Sequence, residues 1–576
     1  MPSEILSILK EQLIKQNLDG FVIPSNDAFQ SEFTPAHDRR LEYITGFSGS
    51  YGVCVILKDK AALFTDGRYV LQAKDEVSKD FKIYNVAQLK PYEWVEKNLK
   101  SSQFLGIDPW LHSVSNMELY KKGNYNLTMV AQNPVDQIWN NRPAKIISPI
   151  EPHPMEHAGQ YSADKLKNIC SALENRNIDA SVITSPDSIC WLLNIRGKDL
   201  PCTPFILSYA ILYQDGIIDL FTESERINDK IEKFMGDGVN ILPPEELKNQ
   251  LGKLRKKTVL LDPANAPYAI YEQCSGKVVL SEDLCLLPKA CKNDVEIDGA
   301  ITAHIRDGIA LTKFLYWIDN EPVETLDELT ASNKLLEFRK MNPEFIEPSF
   351  ETIAGFGSNG AIVHYRVTAK SNKKFSDNGL FLVDSGGQYK DGTTDVTRTI
   401  AIGSPTDEQK HNFTLVLKGH IALSRAVFPE GTTGHQLDVL ARQFLWREGL
   451  DYDHGTGHGV GSYLSVHEGP QRISKFPNNV PLSVGMIISN EPGYYKAGEY
   501  GIRIENLIYV DQFKKGIFRF KNLTMAPIDI KLIDISLLTN DEKDWLNNYH
   551  QQISKIFSPS LEEYEQKWLD KFIIRG

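Results

Sequence analysis

The sequence predicts a mixed α/β (α+β) protein in four parts: two related α/β domains over residues 1–150 and 151–293, a larger third domain over 294–520, and a C-terminal extension over 521–576. Three observations carry this. Leu9–Phe29, LKEQLIKQNLDGFVIPSNDAF, is echoed by Ile169–Ile189, ICSALENRNIDASVITSPDSI. Both read as a helix, Asn-x-Asp, a strand, and then Ser, Pro and Asp turn residues. The stretch Ser148–Gln160, SPIEPHPMEHAGQ, carries too much proline for helix or sheet and reads as a linker. Beyond Met341, short β-type runs alternate with glycine-rich turns. A length of 576 residues suits three or four domains, and 41% hydrophobic with 24% charged residues is enough to give each an ordinary core.

Taken in order, Ile5–Asn17 has helical spacing and Gly20–Pro24 is a short buried strand. Tyr43–Leu57 and Ala61–Tyr69 read as further strands, and Tyr69–Val77 as a helix. In the second domain Trp191–Lys198, WLLNIRGK, takes the place that YITGFSGS holds in the first. The third domain opens with a long helix, Asp294–Asn320. A second helix, Thr325–Met341, starts from a threonine cap with acid in its first turn. In the extension PIDIKLID has a strand pattern, and Thr539–Phe557 is a helix capped by Thr539.

Composition removes several classes of function. A net charge of −12 argues against nucleic acid as the main partner, because phosphate binding needs a basic surface. No run of 18 apolar residues predicts a membrane span, and the amphipathic N-terminus lacks the apolar core of a signal peptide. Seven scattered cysteines make no disulfide framework and fit a reducing cytoplasm. All lie at or before Cys291, which excludes thiolate catalysis or a Cys-bound zinc in the region that follows.

That region is where unusual residues gather. Phe381–Ile400, FLVDSGGQYKDGTTDVTRTI, reads as a hairpin that folds Asp384 back toward Asp395. Two carboxylates so placed need a shared proton or a cation. Asp453–Gly461, DHGTGHGVG, puts His454 and His458 in a loop with four glycines, a poor setting for core histidines. Met486–Tyr495, MIISNEPGYY, is an apolar strand ending in Glu491. Gly501–Val510, GIRIENLIYV, reads as a strand with Arg503 and Glu505 on one face. VHYRV and SVHEGP each add a histidine, His364 and His467. Asp384, Asp395, His458, Glu491 and Glu505 together offer four carboxylates and one imidazole. Such hard donors suit Mn²⁺ or a similar ion, and four negative charges are better balanced by two dications than by one.

These motifs resemble the pita-bread metallopeptidases, and within them the X-prolyl aminopeptidases in their long three-domain form. The resemblance rests on HGTGHGVG, VHEGP, NEPGYY, GIRIEN and the aspartate spacing, with FTDGRY and WLLNIRG extending it over nearly the whole chain. It implies creatinase-like N-terminal domains ahead of a pita-bread catalytic domain. It implies that Asp384, Asp395, His458, Glu491 and Glu505 hold two metal ions, with Asp395 bridging. Glu491 would also take the proton of the attacking water. His364 and His467 match the histidines that hold substrate and steady the developing oxyanion. His454, Tyr495 and Arg503 match groups that orient the ligands, and Arg68 matches an arginine that family members use on the peptide.

The implied reaction is attack of a dimetal-bridged hydroxide on the bond between any N-terminal residue and a penultimate proline, with short peptides as substrates. The resemblance also implies a homodimer. Prolidase, restricted to Xaa-Pro dipeptides, is the nearest alternative. Methionine aminopeptidase normally lacks the two leading domains. A peptide-binding module of the same fold that has lost its metals is the rival of a different class.

Overall fold

The duplication seen in the sequence becomes two sheets of the same topology. In the computed structural model, which describes residues 2–574, the chain forms two compact units: Met1–Pro154 with Gln160–Leu286, and Met155–Gly159 with Leu287–Gly576. The first unit begins with a sheet of β1 (Gly20–Pro24), β2 (Val53–Leu57), β3 (Ala61–Thr65), β4 (Lys82–Asn85), β5 (Phe104–Ile107) and β6 (Asn126–Met129). Its spatial order is β4-β3-β2-β1-β5-β6. The β1–β2 and β2–β3 pairs are antiparallel; β3–β4, β1–β5 and β5–β6 are parallel.

The second sheet uses β7 (Ala180–Ile183), β8 (Tyr209–Tyr213), β9 (Ile218–Phe221), β10 (Val239–Leu242), β11 (Thr258–Leu261) and β12 (Lys277–Leu280). Its order, β10-β9-β8-β7-β11-β12, repeats the first position by position, with the same senses of pairing. The two sheets share a core in which Val22, Phe64 and Leu105 pack with Val182, Ile211 and Val259. Tyr209 Oη donates to Ala28 O at 2.6 Å across them.

Several local readings change. Tyr43–Thr45 belongs to a helix, Arg40–Thr45, so the strand expected from Tyr43 begins only at Val53. Gly46, with φ 77°, ends that helix in the left-handed conformation. The apolar pattern around it was therefore a helix face and a strand in succession.

In the second unit the 27-residue helix Asp294–Asn320 forms as expected. Asn293 caps it by accepting from Val295 N and Glu296 N, and Leu311, Phe314, Leu315 and Ile318 line its buried face. The next helix runs Glu328–Lys340, and its cap is Asp327, which accepts from Thr330 N, rather than Thr325. PIDIKLID forms a 3₁₀ turn, Ile530–Leu532, in place of a strand, and a second 3₁₀ turn, Ile535–Leu537, follows it. Asp529 and Asp534 accept from Lys531 N and Ser536 N and start those turns. The helix Asn540–Phe557 is capped by Thr539 and buries Leu546, Tyr549, Ile553 and Phe557 in the same core.

Besides a small sheet of Phe345–Pro348, Gly387–Tyr389 and Gly392–Thr393, this unit has the strands β13 (Ile353–Phe356), β14 (Gly379–Ser385), β15 (Val396–Ile402), β16 (Val427–Pro429), β17 (Gly457–Gly459), β18 (Glu468–Ile473), β19 (Ile487–Asn490), β20 (Gly493–Lys496), β21 (Tyr500–Arg503), β22 (Asn506–Lys514) and β23 (Ile517–Asn522). One antiparallel sheet is β13-β14-β15, a second is β16-β23-β22-β19-β17-β18, and β20 with β21 is a hairpin. GIRIENLIYV is thus not one strand. It breaks at Ile504–Glu505, and its halves pair in different sheets.

Candidate metal centre

The β14–β15 register sets the first two carboxylates. Asp384 lies opposite Thr397 and Ser385 opposite Val396. Asp395 precedes Thr397 by two residues, so the side-chain period of two puts Asp384, Asp395 and Thr397 on one face. Gly386 lets the two segments approach closely there, since a Cβ would stand 1.8 Å from Thr394 O. Both aspartates are buried, and Oδ1 of each has no hydrogen-bond partner.

His458 stands on β17, pressed against β19: its N–H donates to Ser489 Oγ at 2.9 Å. Its Nδ1 contacts Gly459 O at 2.9 Å. A carbonyl can only accept, so Nδ1 carries a proton and Nε2 is the nitrogen turned to the carboxylates. That nitrogen is 3.6 Å from Asp395 Oδ2 and 3.6 Å from Glu491 Oε1. Glu491 follows the end of β19, where its N–H donates to Thr456 O at 2.8 Å. Glu505 sits in the break between β21 and β22 and accepts from Thr397 Oγ1 at 2.7 Å. Ligand atoms of Asp395, His458 and Glu505 all lie within 4.8 Å of one another.

Arg503 joins this cluster from β21. Its Nη2 is 2.6 Å from Asp384 Oδ2, its Nε donates to Thr397 Oγ1 at 3.1 Å, and its Nη1 donates to Tyr495 Oη at 2.7 Å. Tyr495 in turn donates to His454 Nε2 at 2.8 Å, while His454 Nδ1 bonds Gly455 O. Burial works against the Arg503 charge, but Tyr495, Asp384, Glu491 and Glu505 outweigh it and hold the guanidinium firmly protonated. Arg503 therefore pairs directly with Asp384 and acts on the other carboxylates only from a distance.

The electrostatics show the deficit. Burial first, then Glu505, Asp384 and Glu491, push the Asp395 carboxyl well above its usual range. Burial, then Asp384 and Glu491, do the same to Glu505. Carboxylates this close cannot all ionise unless cations join them. The two unpartnered aspartate oxygens, the His458 Nε2 beside them and the oxygen-rich donor set fit divalent cations.

The structure brings the remaining candidates to different places. The His467 ring lies 4.3 Å from that of His458, edge to face. Val363, the residue before His364, accepts from Arg503 Nη1 at 3.4 Å. Arg68 belongs to the first unit, where Asp66 clamps it at 2.7 Å and its guanidinium lies 5.3 Å from the Tyr69 ring.

Thr397 and Ser489 are the residues that sequence reasoning missed. Thr397 links Glu505, Arg503 and the Asp395 strand, and Ser489 holds His458 and Glu491, the latter at 3.3 Å. A usable signal existed: each is a hydroxyl on a buried strand, two residues from a candidate ligand and therefore on its face.

Comparison with known proteins agrees with this geometry. Residues 299–512 match metallopeptidase family M24, and 516–573 match the C-terminal region of that peptidase. Residues 6–138 and 141–296 match creatinase/prolidase N-terminal domains. Aminopeptidase P1 of Arabidopsis thaliana is 37% identical, over 99% of this chain and 98% of that protein. A probable Xaa-Pro aminopeptidase P of Paracoccidioides brasiliensis is 39% identical, over 99% and 98%. The crystal structure of an X-prolyl aminopeptidase from Caenorhabditis elegans, described as a cytosolic enzyme with a di-nuclear active site, has a TM-score of 0.96 at 33% identity and covers 100% of both chains. A prolidase from Pyrococcus horikoshii shares the fold, with a TM-score of 0.52 over 64% of this chain. The chain belongs to metallopeptidase family M24 and, by its full-length relatives, to the Xaa-Pro aminopeptidases within it.

Proposed function

We propose that this chain removes the N-terminal residue from short peptides with proline in second place, and that the cluster around Asp395 is where it does so. The observation that carries the proposal is the cluster of three buried carboxylates, Asp384, Asp395 and Glu505, with half-buried Glu491 and His458 at its edge and one guanidinium in direct contact. Asp384, Asp395, His458, Glu491 and Glu505 would hold two divalent cations, Mn²⁺ by donor type. Cations there supply the charge that polarises a carbonyl and lets water ionise near neutral pH. Glu491 takes the proton the attacking water gives up. His364 and His467 donate to the carbonyl oxygen as negative charge develops, a contribution of about 3 to 4 kcal/mol per donor in acyl-transfer sites. His454, Tyr495 and Arg503 orient Glu491 and Asp384. The free amino group of the peptide lies against the acidic cluster, which sets the cut after one residue. Arg68 contacts the peptide.

Four domains bounded near residues 150, 293 and 520, a homodimer and a cytoplasmic setting complete the proposal. Among the described residues the cysteines, all at or before Cys291, form no disulfide, which supports the last. The test is hydrolysis of Arg-Pro-Pro against an Xaa-Pro dipeptide, after chelation and re-addition of single metals. Release of arginine from the tripeptide, restored best by Mn²⁺, is the expected result. Turnover of the dipeptide alone would assign a prolidase, and a metal-free inert protein would assign a binding module.

A further inference from the structure

Glu328 is a buried carboxylate that the metal cluster does not use. It opens the helix Glu328–Lys340 and has 0% exposure. Its partners are neutral donors. Oε1 accepts from Phe356 N at 2.7 Å and Asn359 Nδ2 at 2.9 Å; Oε2 accepts from Tyr365 Oη at 2.9 Å, Lys373 N at 3.0 Å and Asn359 Nδ2 at 3.1 Å. A charge placed out of water is tolerated only with such saturation.

The positions of those donors give the arrangement a purpose. Phe356 and Lys373 stand at the two ends of the loop 357–372, and Asn359 and Tyr365 lie inside it. One carboxylate thus closes the neck of the loop and fixes its interior. The helix adds two bonds from its first residues, Glu328 N to Lys373 O at 3.2 Å and Leu329 N to Asn372 Oδ1 at 3.1 Å. The loop also leans on the strand that carries Arg503. Gly360 packs so closely on Gly501 that a Cβ there would lie 1.8 Å from Gly360 O. His364 sits in this loop, directly before Tyr365.

We infer that Glu328 is a positioning residue for His364: its carboxylate staples the 357–372 loop so that the histidine backbone is held against the Arg503 strand. The inference rests on the proposed role of His364 in gripping substrate. Glu328 does not touch substrate or metal; it acts through Tyr365 and the loop.

The test measures kcat, KM and metal content on Arg-Pro-Pro for wild type, Glu328→Gln, Tyr365→Phe, His364→Ala and the two double variants with His364→Ala. Gln presents an amide N–H₂ where donors already converge, so the loop loosens. The expected loss in kcat/KM is roughly 10- to 100-fold, the usual cost of losing an orienting partner, with metal content unchanged. With His364→Ala already present, the same substitution costs nothing further, because the two act as one unit. Tyr365→Phe removes the hydroxyl that contacts Glu328, Ser371 O and Asn359 Nδ2 without adding a donor, and follows the same pattern at smaller size; it carries the test if Glu328→Gln does not fold. An equal fold-loss in both backgrounds, or activity that falls in step with metal content, overturns the inference. Wild type inactive on the tripeptide overturns the proposed function itself, and is told apart by that control.

Discussion

Asp395 is the residue on which charge and burial collide. It is 3% exposed, has an unpartnered oxygen and stands beside three other carboxylates. Asp395→Asn is expected to bind fewer than two ions per chain by elemental analysis and to lose peptidase activity, because a neutral amide cannot neutralise a dication. Thr397→Val keeps the ligand set but removes the hydroxyl between Glu505 and Arg503. It should weaken metal affinity or kcat/KM about 10- to 100-fold, measured by titration of chelated protein. A third residue tests a different part of the chain. Asp27 accepts from Phe29 N and Ser31 N, yet burial raises its pKa from 3.8 to about 6. The folded state therefore holds this proton more tightly than the unfolded chain does. Its stabilising contribution is complete below about pH 4 and is lost as pH rises through about 6. The shift corresponds to about 3 kcal/mol. Urea unfolding across pH 4 to 7.5 should show that loss in wild type and a flatter profile in Asp27→Asn.

Among the elements, β21 is the most constrained. It pairs with β20, carries Arg503 to Asp384 and touches the 357–361 turn through Gly501. Gly501→Ala would bring a methyl to 1.8 Å from a carbonyl oxygen that is fixed backbone. Overpacking of this kind costs roughly 1–3 kcal/mol, and here it also moves Arg503 away from Asp384. A lower urea midpoint together with reduced kcat/KM is expected; a lower midpoint with unchanged kinetics would separate the strand from the site. Elements also show how far sequence pattern reaches. The long helix and the Thr539-capped helix were legible because periodicity and caps are local. Tyr43–Thr45, Thr325 and PIDIKLID were misread because short apolar runs look alike in helix, strand and 3₁₀ turn until packing chooses. GIRIENLIYV read as one strand because alternation continues across Glu505, while the chain changes sheet there.

For the whole molecule, metal and folding are linked through the second unit. The five proposed ligands come from separate segments of that unit, so ions that bind the folded cluster and not the unfolded chain would stabilise it by mass action. At a free metal concentration about 100 times Kd the gain is about 2.7 kcal/mol. Chelation should lower the calorimetric transition of the second unit, and Mn²⁺ should restore it. The twin-sheet first unit holds none of the five groups, so its transition should not follow the metal. Metal binding should also release protons, since Asp395 and Glu505 sit well above their usual range until cations join them.

By itself the sequence determined the duplication, the main helices and the identity of the five metal-binding candidates, because repeats, periodicity and motif residues are properties of neighbouring positions. Only the tertiary structure decided that Thr397 and Ser489 tie those candidates together, that Arg503 offsets Asp384 from 119 residues away, and that a carboxylate at a helix start staples the loop carrying His364. Such partners meet through strand register and loop closure, and distances of that kind leave no trace in local spacing.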